Sequence, residues 1–178
     1  MAEFDFQVLA YLDDFLFVSY DAFPRAQALL ALLRRVFRAF GLTLHPDKCD
    51  WVPRRAVDFL GFRLAASGVL QLTSRRFNKV RASAAALLVS LRRARRFVDF
   101  RMLRSFAGLA ASCYAAVPFA RLYVRALYNA LAEYERRNRA CPGFSPKFGL
   151  RGKRVKLPKP AEKELCFWSA LSWEEATT

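Results

Sequence analysis

The stretch FQVLAYLDDFLFVS at residues 6–19 constrains the fold more than any other part of the chain. Two runs rich in Val, Tyr, Phe and Leu, 6–12 and 15–19, fit pleated strands, and the adjacent carboxylates Asp13 and Asp14 separate them. Neighbouring aspartates repel, and burying either one unpaired costs several kcal/mol, so the interior of a sheet is a poor place for them. The pattern predicts a β-hairpin with the acidic pair at its tip. A lone two-stranded ribbon is marginal in water, so this β-layer needs neighbours.

Downstream, Asp21-Ala-Phe-Pro24 predicts a turn and a helix start, because Pro is tolerated at a first helical position. Residues 24–40 place Ala26, Leu29, Leu33, Val36, Phe37 and Phe40 three and four apart. This is an amphipathic helix with Arg25, Arg34, Arg35 and Arg38 on its wet side and Gly41 as its C′ stop. LTLHPDKCDWVP (42–53) reads as extended, turned by Pro46-Asp47 and ended by Pro53. VDFLGFRL (57–64) reads as one strand, turned by Ser67-Gly68 into VLQL (69–72), and Gly61 suggests a close approach by another chain. A Thr73/Ser74 cap opens a helix to about Arg96 with Phe77, Val80, Ala84, Leu87, Leu88 and Leu91 inward. Asp99 caps a helix over 100–114, and Pro118 opens another to about Arg137. Residues 141–160 read as a linker or irregular basic arm, before a short closing helix with Phe167 and Trp168. The fold class is α+β, with a strand-and-helix region 1–72, a basic helical region 73–137 and a closing region 138–178.

Charge is distributed unevenly. Residues 1–74 hold eight basic and eight acidic side chains, whereas 75–178 hold 22 basic and seven acidic, so the whole net charge of +15 lies in the later part. Such an excess calls for a partner dense in negative charge, nucleic acid before an anionic membrane surface, with a merely solvated arginine face as the plain alternative. Cys49, Cys113, Cys141 and Cys166 form no CxxC pair, and with a single histidine they point to a reducing compartment and away from structural zinc. No apolar run reaches about 18 residues, and MAEFDFQ lacks a basic signal-peptide start, so an intracellular protein with no membrane span is expected.

A divalent cation would relieve the repulsion within the acidic pair. Mg²⁺ prefers hard oxygen ligands and is commonly shared between carboxylates and substrate phosphates. Two such ions can activate an attacking hydroxyl and stabilise a leaving pyrophosphate. An ordinary acidic turn is the competing reading.

YLDD at 11–14, flanked by apolar strands, resembles the YxDD box of reverse transcriptases. The order of the downstream segments strengthens the likeness: a helix, FGLTLHPDKC (40–49), FLGF (59–62), then SGVLQL and a basic helix. The resemblance implies a partial polymerase palm of two β-hairpins and a packed helix, then a helical thumb and connection region. It implies Asp13 and Asp14 as ligands of Mg²⁺ or Mn²⁺, two ions if a third carboxylate is supplied, and Tyr11 beside the templated base and primer end. Lys48 matches the lysine proposed to neutralise or protonate the leaving pyrophosphate, with an exposed turn lysine as the alternative. Phe59, Leu60 and Gly61 match the primer-grip hairpin, with Phe59 and Phe62 as core residues the alternative. Arg75, Arg76, Lys79, Arg81, Arg92, Arg93, Arg95 and Arg96 fall on the thumb-like helix and would track the backbone of an RNA–DNA hybrid formed by RNA template and DNA primer. Leu-Arg-Ser-Phe-x-Gly-Leu at 103–109 and KELCFW at 163–168 are similar to segments of long-terminal-repeat and tyrosine-recombinase retrotransposons.

The same resemblance calls for an aspartate from a first palm motif and for fingers that hold the incoming nucleotide. Neither is found in the ten residues before Tyr11, and Asp5 is too close to Asp13 to act as the distant ligand. The expectation is a polymerase fragment, inactive alone, with a further polypeptide as the source of fingers and palm strands. A non-catalytic nucleic-acid-binding module derived from a retroelement is the alternative.

Overall fold

The chain reverses at residues 12–13, bringing β1 (Phe6–Tyr11) and β2 (Asp14–Ser19) together as an antiparallel ribbon. The computed structural model describes residues 4–147, 149–150 and 154–177. It divides into two compact units, Met1–Phe59 and Leu60–Thr178, in an α+β arrangement of small open sheets and separate helices.

In the first unit, Phe6 lies opposite Ser19 and Tyr11 opposite Asp14. Strand alternation therefore puts Phe15 and Phe17 on one face with Val8 and Ala10. Helix α1 (Phe23–Ala39) meets that face, its Phe37 ring lying 5.7 Å from Phe15 and 6.1 Å from Phe17. Pro24 occupies the first helical turn, as expected. At the other end Gly41 has φ +74°, with Gly41 N–H donating to Arg38 O and Leu42 N–H to Phe37 O. These paired bonds form a Schellman stop, which only a residue tolerant of positive φ completes without strain. A turn at 46–48 leads on to strand β3 (Ala56–Phe59). Leu29 is the one fully buried side chain among the described residues of this unit.

The second unit has a closed core. Strands β4 (Phe62–Ala65) and β5 (Leu70–Leu72) form a hairpin, Phe62 opposite Leu72, and Thr73 then caps α2 (Ser74–Arg93). The buried side chains of α2 are Phe77, Val80, Ala84, Leu87, Leu88 and Leu91, the face that the 3.6-residue period marks out. Strand β6 (Phe97–Asp99) leads into α3 (Phe100–Ala111), whose Arg101 and Met102 N–H groups donate to the Asp99 carboxylate. Helix α4 (Arg125–Asn138), strand β7 (Arg154–Lys156) and helix α5 (Lys159–Ala170) complete the unit. No helix among the described residues is long and apolar enough to cross a membrane.

Four expectations need correction. The strand foreseen over 57–64 is two strands, because Leu60 (φ +51°) and Gly61 (φ +83°) turn the chain between them. Helix α2 ends at Arg93 rather than Arg96, since Arg95 (φ +48°) and Arg96 (φ +74°) take the left-handed conformation and redirect the chain into β6. Pro118 does not open a helix: turns and a 3-10 segment, with Tyr123 off helical geometry, run to Arg125. The arm foreseen at 141–160 is in large part built into the unit. Its residues 148 and 151–153 lie outside the described residues, but β7 pairs with β6, Val98 opposite Val155. Val155 and Leu157 are buried, as are Leu165 and Trp168 on α5, so β7 and α5 contribute to the core rather than forming an appendage.

Candidate active site

The hairpin tip is built from a two-residue turn. Tyr11 and Asp14 form the last strand pair, leaving Leu12 and Asp13 as the connection. Leu12 has φ +55° and is 85% exposed. A leucine in the left-handed region is disfavoured by its Cβ, so the tip holds a locally strained backbone that nothing packs against.

Because directly paired residues share a face, Tyr11 and Asp14 stand side by side, with Leu9 and Leu16 next along the ribbon. This is the face opposite the one that meets Phe37. Asp13, Asp14 and Tyr11 are all exposed, and the apolar members Leu9 and Val18 of the same face are exposed too. The tip thus brings together two carboxylates and a phenol. Asp5 sits at the other end of the ribbon, where its carbonyl accepts from Tyr20 N–H and from Ser19 Oγ. Six residues of strand, about 20 Å, separate it from the tip. It is excluded as a third ligand.

Lys48 closes the turn at 46–48, its N–H donating to His45 O, and its side chain is exposed. Among the described residues no hydrogen bond or ion pair joins it to Asp13 or Asp14. Nor does any group of three or more His, Cys, Asp or Glu side chains there suit a metal ion. As donors, Asp13 and Asp14 match the hard oxygens that Mg²⁺ prefers, and two carboxylates with substrate phosphates are a sufficient protein contribution to one such ion.

In the second unit the foreseen contact residues separate into two groups. Arg76 is engaged internally: Nη1 donates to the Leu60 carbonyl, Nη2 donates to Ser112 Oγ at 2.7 Å, and the guanidinium lies 4.8 Å from the Phe62 ring centre. It also occupies the space beside Gly61, where an added Cβ would meet Nη1 at 2.5 Å. The close approach foreseen at Gly61 therefore comes from this chain's own arginine. Arg96 is likewise committed, Nε donating to Leu157 O at 3.0 Å and Nη1 to Glu162 at 2.9 Å. Arg81 donates to Ser169 O and lies over Phe77. Arg75, Lys79, Arg92, Arg93 and Arg95 remain exposed. At 100° per residue Arg75, Lys79 and Arg93 share one line of α2, about 27 Å long. Arg92 and Arg93 also complement the helix dipole at its C-terminus. Phe59 is half-buried at the end of β3, and Leu60 is partly exposed in the turn.

Sequence reasoning missed Glu164, the buried carboxylate of α5. It accepts from Ala126 N–H at 2.7 Å and Leu127 N–H at 3.1 Å, capping the start of α4 from 37 residues away. Burial pushes its carboxyl above the usual glutamate range, opposed by those two bonds. Nothing local in KELCFW marks this role. No protein-family model, curated protein or solved structure matches the chain.

Proposed function

We propose that the chain is part of an RNA-directed DNA polymerase, the tip of the β1–β2 ribbon serving nucleotidyl transfer onto a primer 3′ hydroxyl. The observation that carries this reading is the pairing of Tyr11 with Asp14 at a ribbon end that also holds Asp13, all exposed. Asp13 and Asp14 would hold Mg²⁺ or Mn²⁺, which when bound neutralises charge on the nucleotide phosphates and lowers the pKa of the attacking hydroxyl. Tyr11 offers a flat ring and a hydroxyl for positioning a base. Lys48 is a mobile cation suited to the charge of a departing pyrophosphate or to giving it a proton. Arg75, Lys79, Arg92 and Arg93 offer non-specific attraction to the backbone of a hybrid duplex.

Two carboxylates are a partial ligand set for two ions, and loss of position of even an ångström costs about a hundredfold in rate. The purified chain is therefore expected to show no extension of a DNA primer on an RNA template with Mg²⁺ or Mn²⁺. Templated extension abolished by D13A/D14A would overturn the inactivity and establish the site. Paramagnetic broadening by Mn²⁺ confined to residues 11–15 and lost in D13N/D14N is the result expected of the chain alone. Its absence would remove the metal role.

A non-catalytic nucleic-acid-binding module is the second reading, favoured by the exposed line Arg75, Lys79 and Arg93. Charge reversal at these three positions would then abolish duplex binding while D13N/D14N leaves it unchanged.

A further inference from the structure

A second basic feature lies in the first unit, on the wet side of α1. Two hollows, of about 310 and 240 Å³, have Arg34, Arg38 and Trp51 as shared walls. Leu42, Thr43, Leu44 and Pro46 complete one, while Gln27, Leu30, Ala31 and Arg35 complete the other. The Arg34 guanidinium lies 5.4 Å from the Trp51 ring centre, so a cation–π stack forms the partition between them.

No acidic side chain lines either hollow. The nearest one in sequence to Trp51, Asp50, is occupied by Arg54 Nε at 2.7 Å and by Val52 N–H. Among the described residues the side chains of Arg35 and Arg38 have no hydrogen-bond or ion-pair partner. Arg34 and Arg38 thus line both hollows and Arg35 lines one, with no carboxylate in either lining. Like charges on adjacent helical turns repel unless an anion joins them, and guanidinium forks match phosphate oxygens in geometry.

We infer that this cleft binds single-stranded nucleic acid, with Arg34, Arg35 and Arg38 on phosphates and the Trp51 indole as a stacking platform for a base. The aromatic member decides between ligands: a bare anion or a lipid headgroup has no use for a half-buried indole, whereas every base has a π-face to lay on it. Two hollows on either side of one stack suit successive nucleotides of an extended strand better than one enclosed small molecule, since each volume is at or below the low end for ligand pockets. The site lies apart from the acidic tip and does not rest on the polymerase reading.

Binding of a fluorescein-labelled dT10 oligonucleotide to the full chain tests this by anisotropy and by quenching of intrinsic tryptophan emission. The chain has three tryptophans, so the variant W51F, which keeps a ring, assigns the signal. The expected results are quenching in the parent that is absent in W51F, and at least fivefold weaker binding in W51A. In R34Q/R38Q the slope of log K against log salt should be shallower by about 0.7 for each phosphate no longer neutralised. The arginine substitutions lie on an exposed helix face and do not touch the buried Leu29, so they report even where W51A folds poorly. Binding and salt slopes like the parent's in both variants would overturn the site. So would heparin quenching Trp51 as well as dT10 does, marking a bare anion site. Phosphatidylserine vesicles losing affinity in R34Q/R38Q while dT10 does not would overturn it in favour of a lipid surface.

Discussion

Both units are rich in apolar residues, yet they reach opposite outcomes. In Leu60–Thr178, α2, α3, α4 and α5 close around Leu87, Leu91, Leu103, Phe106, Leu127, Leu165 and Trp168, all essentially inaccessible. In Met1–Phe59, Phe6, Val8, Leu9, Phe15, Val18, Leu32 and Val36 are all exposed to a third or more of their surface, and Leu29 stands alone as a buried side chain among the described residues. The difference is one of layers. A ribbon with one helix offers a single covering element for one face, whereas four helices, the β4–β5 hairpin and the β6–β7 pair cover one another. Stabilisation from burial therefore concentrates in the unit that carries the net charge, and the unit with the acidic tip relies on backbone pairing and a few ring contacts.

Hydrogen exchange gives the largest test of that contrast. Amides of β1 and β2 should exchange at least about a thousandfold faster than those of Ala84–Leu91, because local opening exposes little apolar surface. Equal protection would show that the ribbon is covered in solution. Next, Trp168→Ala removes a fully buried indole and its hydrogen bond to Tyr123 O at 2.7 Å. Urea unfolding monitored by circular dichroism should show a loss of about 3–5 kcal/mol, while the β1–β2 amides keep their exchange rates.

Glu164→Ala leaves two N–H groups of α4 unpaired and should cost about 1–3 kcal/mol by the same measurement. The pH dependence has a definite sign. Since burial raises the folded carboxyl above its unfolded value, the folded state binds the proton more readily. The ionised group therefore detracts from stability at higher pH, and that penalty is relieved as pH falls through the raised value. Glu164→Gln should flatten this component of a stability–pH curve, and an unchanged curve would refute it. The smallest effect is at the ribbon: Leu12→Gly should stabilise the hairpin by up to about 1 kcal/mol, seen as slower exchange of the Tyr11 and Asp14 amides, because left-handed strain is relieved and no packing is sacrificed.

Features governed by short-range physics were legible in the sequence. The inner face of α2 comes from a 3.6-residue period, the Asp99 cap from a carboxylate before a helical run, and the Gly41 stop from its free φ. The ribbon and the position of Asp13 and Asp14 in it were likewise readable from alternation of β-forming residues. The features that escaped depend on distant partners. Leu60 turns the chain although turn chemistry favours Gly or Asn there, and it does so beside an arginine 16 residues on. Strand β7 is three residues long and carries no signal of its own until it meets β6. Arginines that look alike in RRFNKVR and RRARR divide into solvated ones and ones bound to carbonyls, a distinction set by tertiary neighbours. The Arg34–Trp51 stack joins residues 17 apart and has no local signature.

The wedge of Arg76 against Gly61 makes the first turn of α2 and the Leu60–Gly61 reversal one mechanical piece. A side chain at 61 would have to displace the guanidinium, and a shorter residue at 76 would release the Leu60 carbonyl. Change at either position is thereby constrained by the other, so substitutions there should be non-additive, each tolerated or not according to its companion.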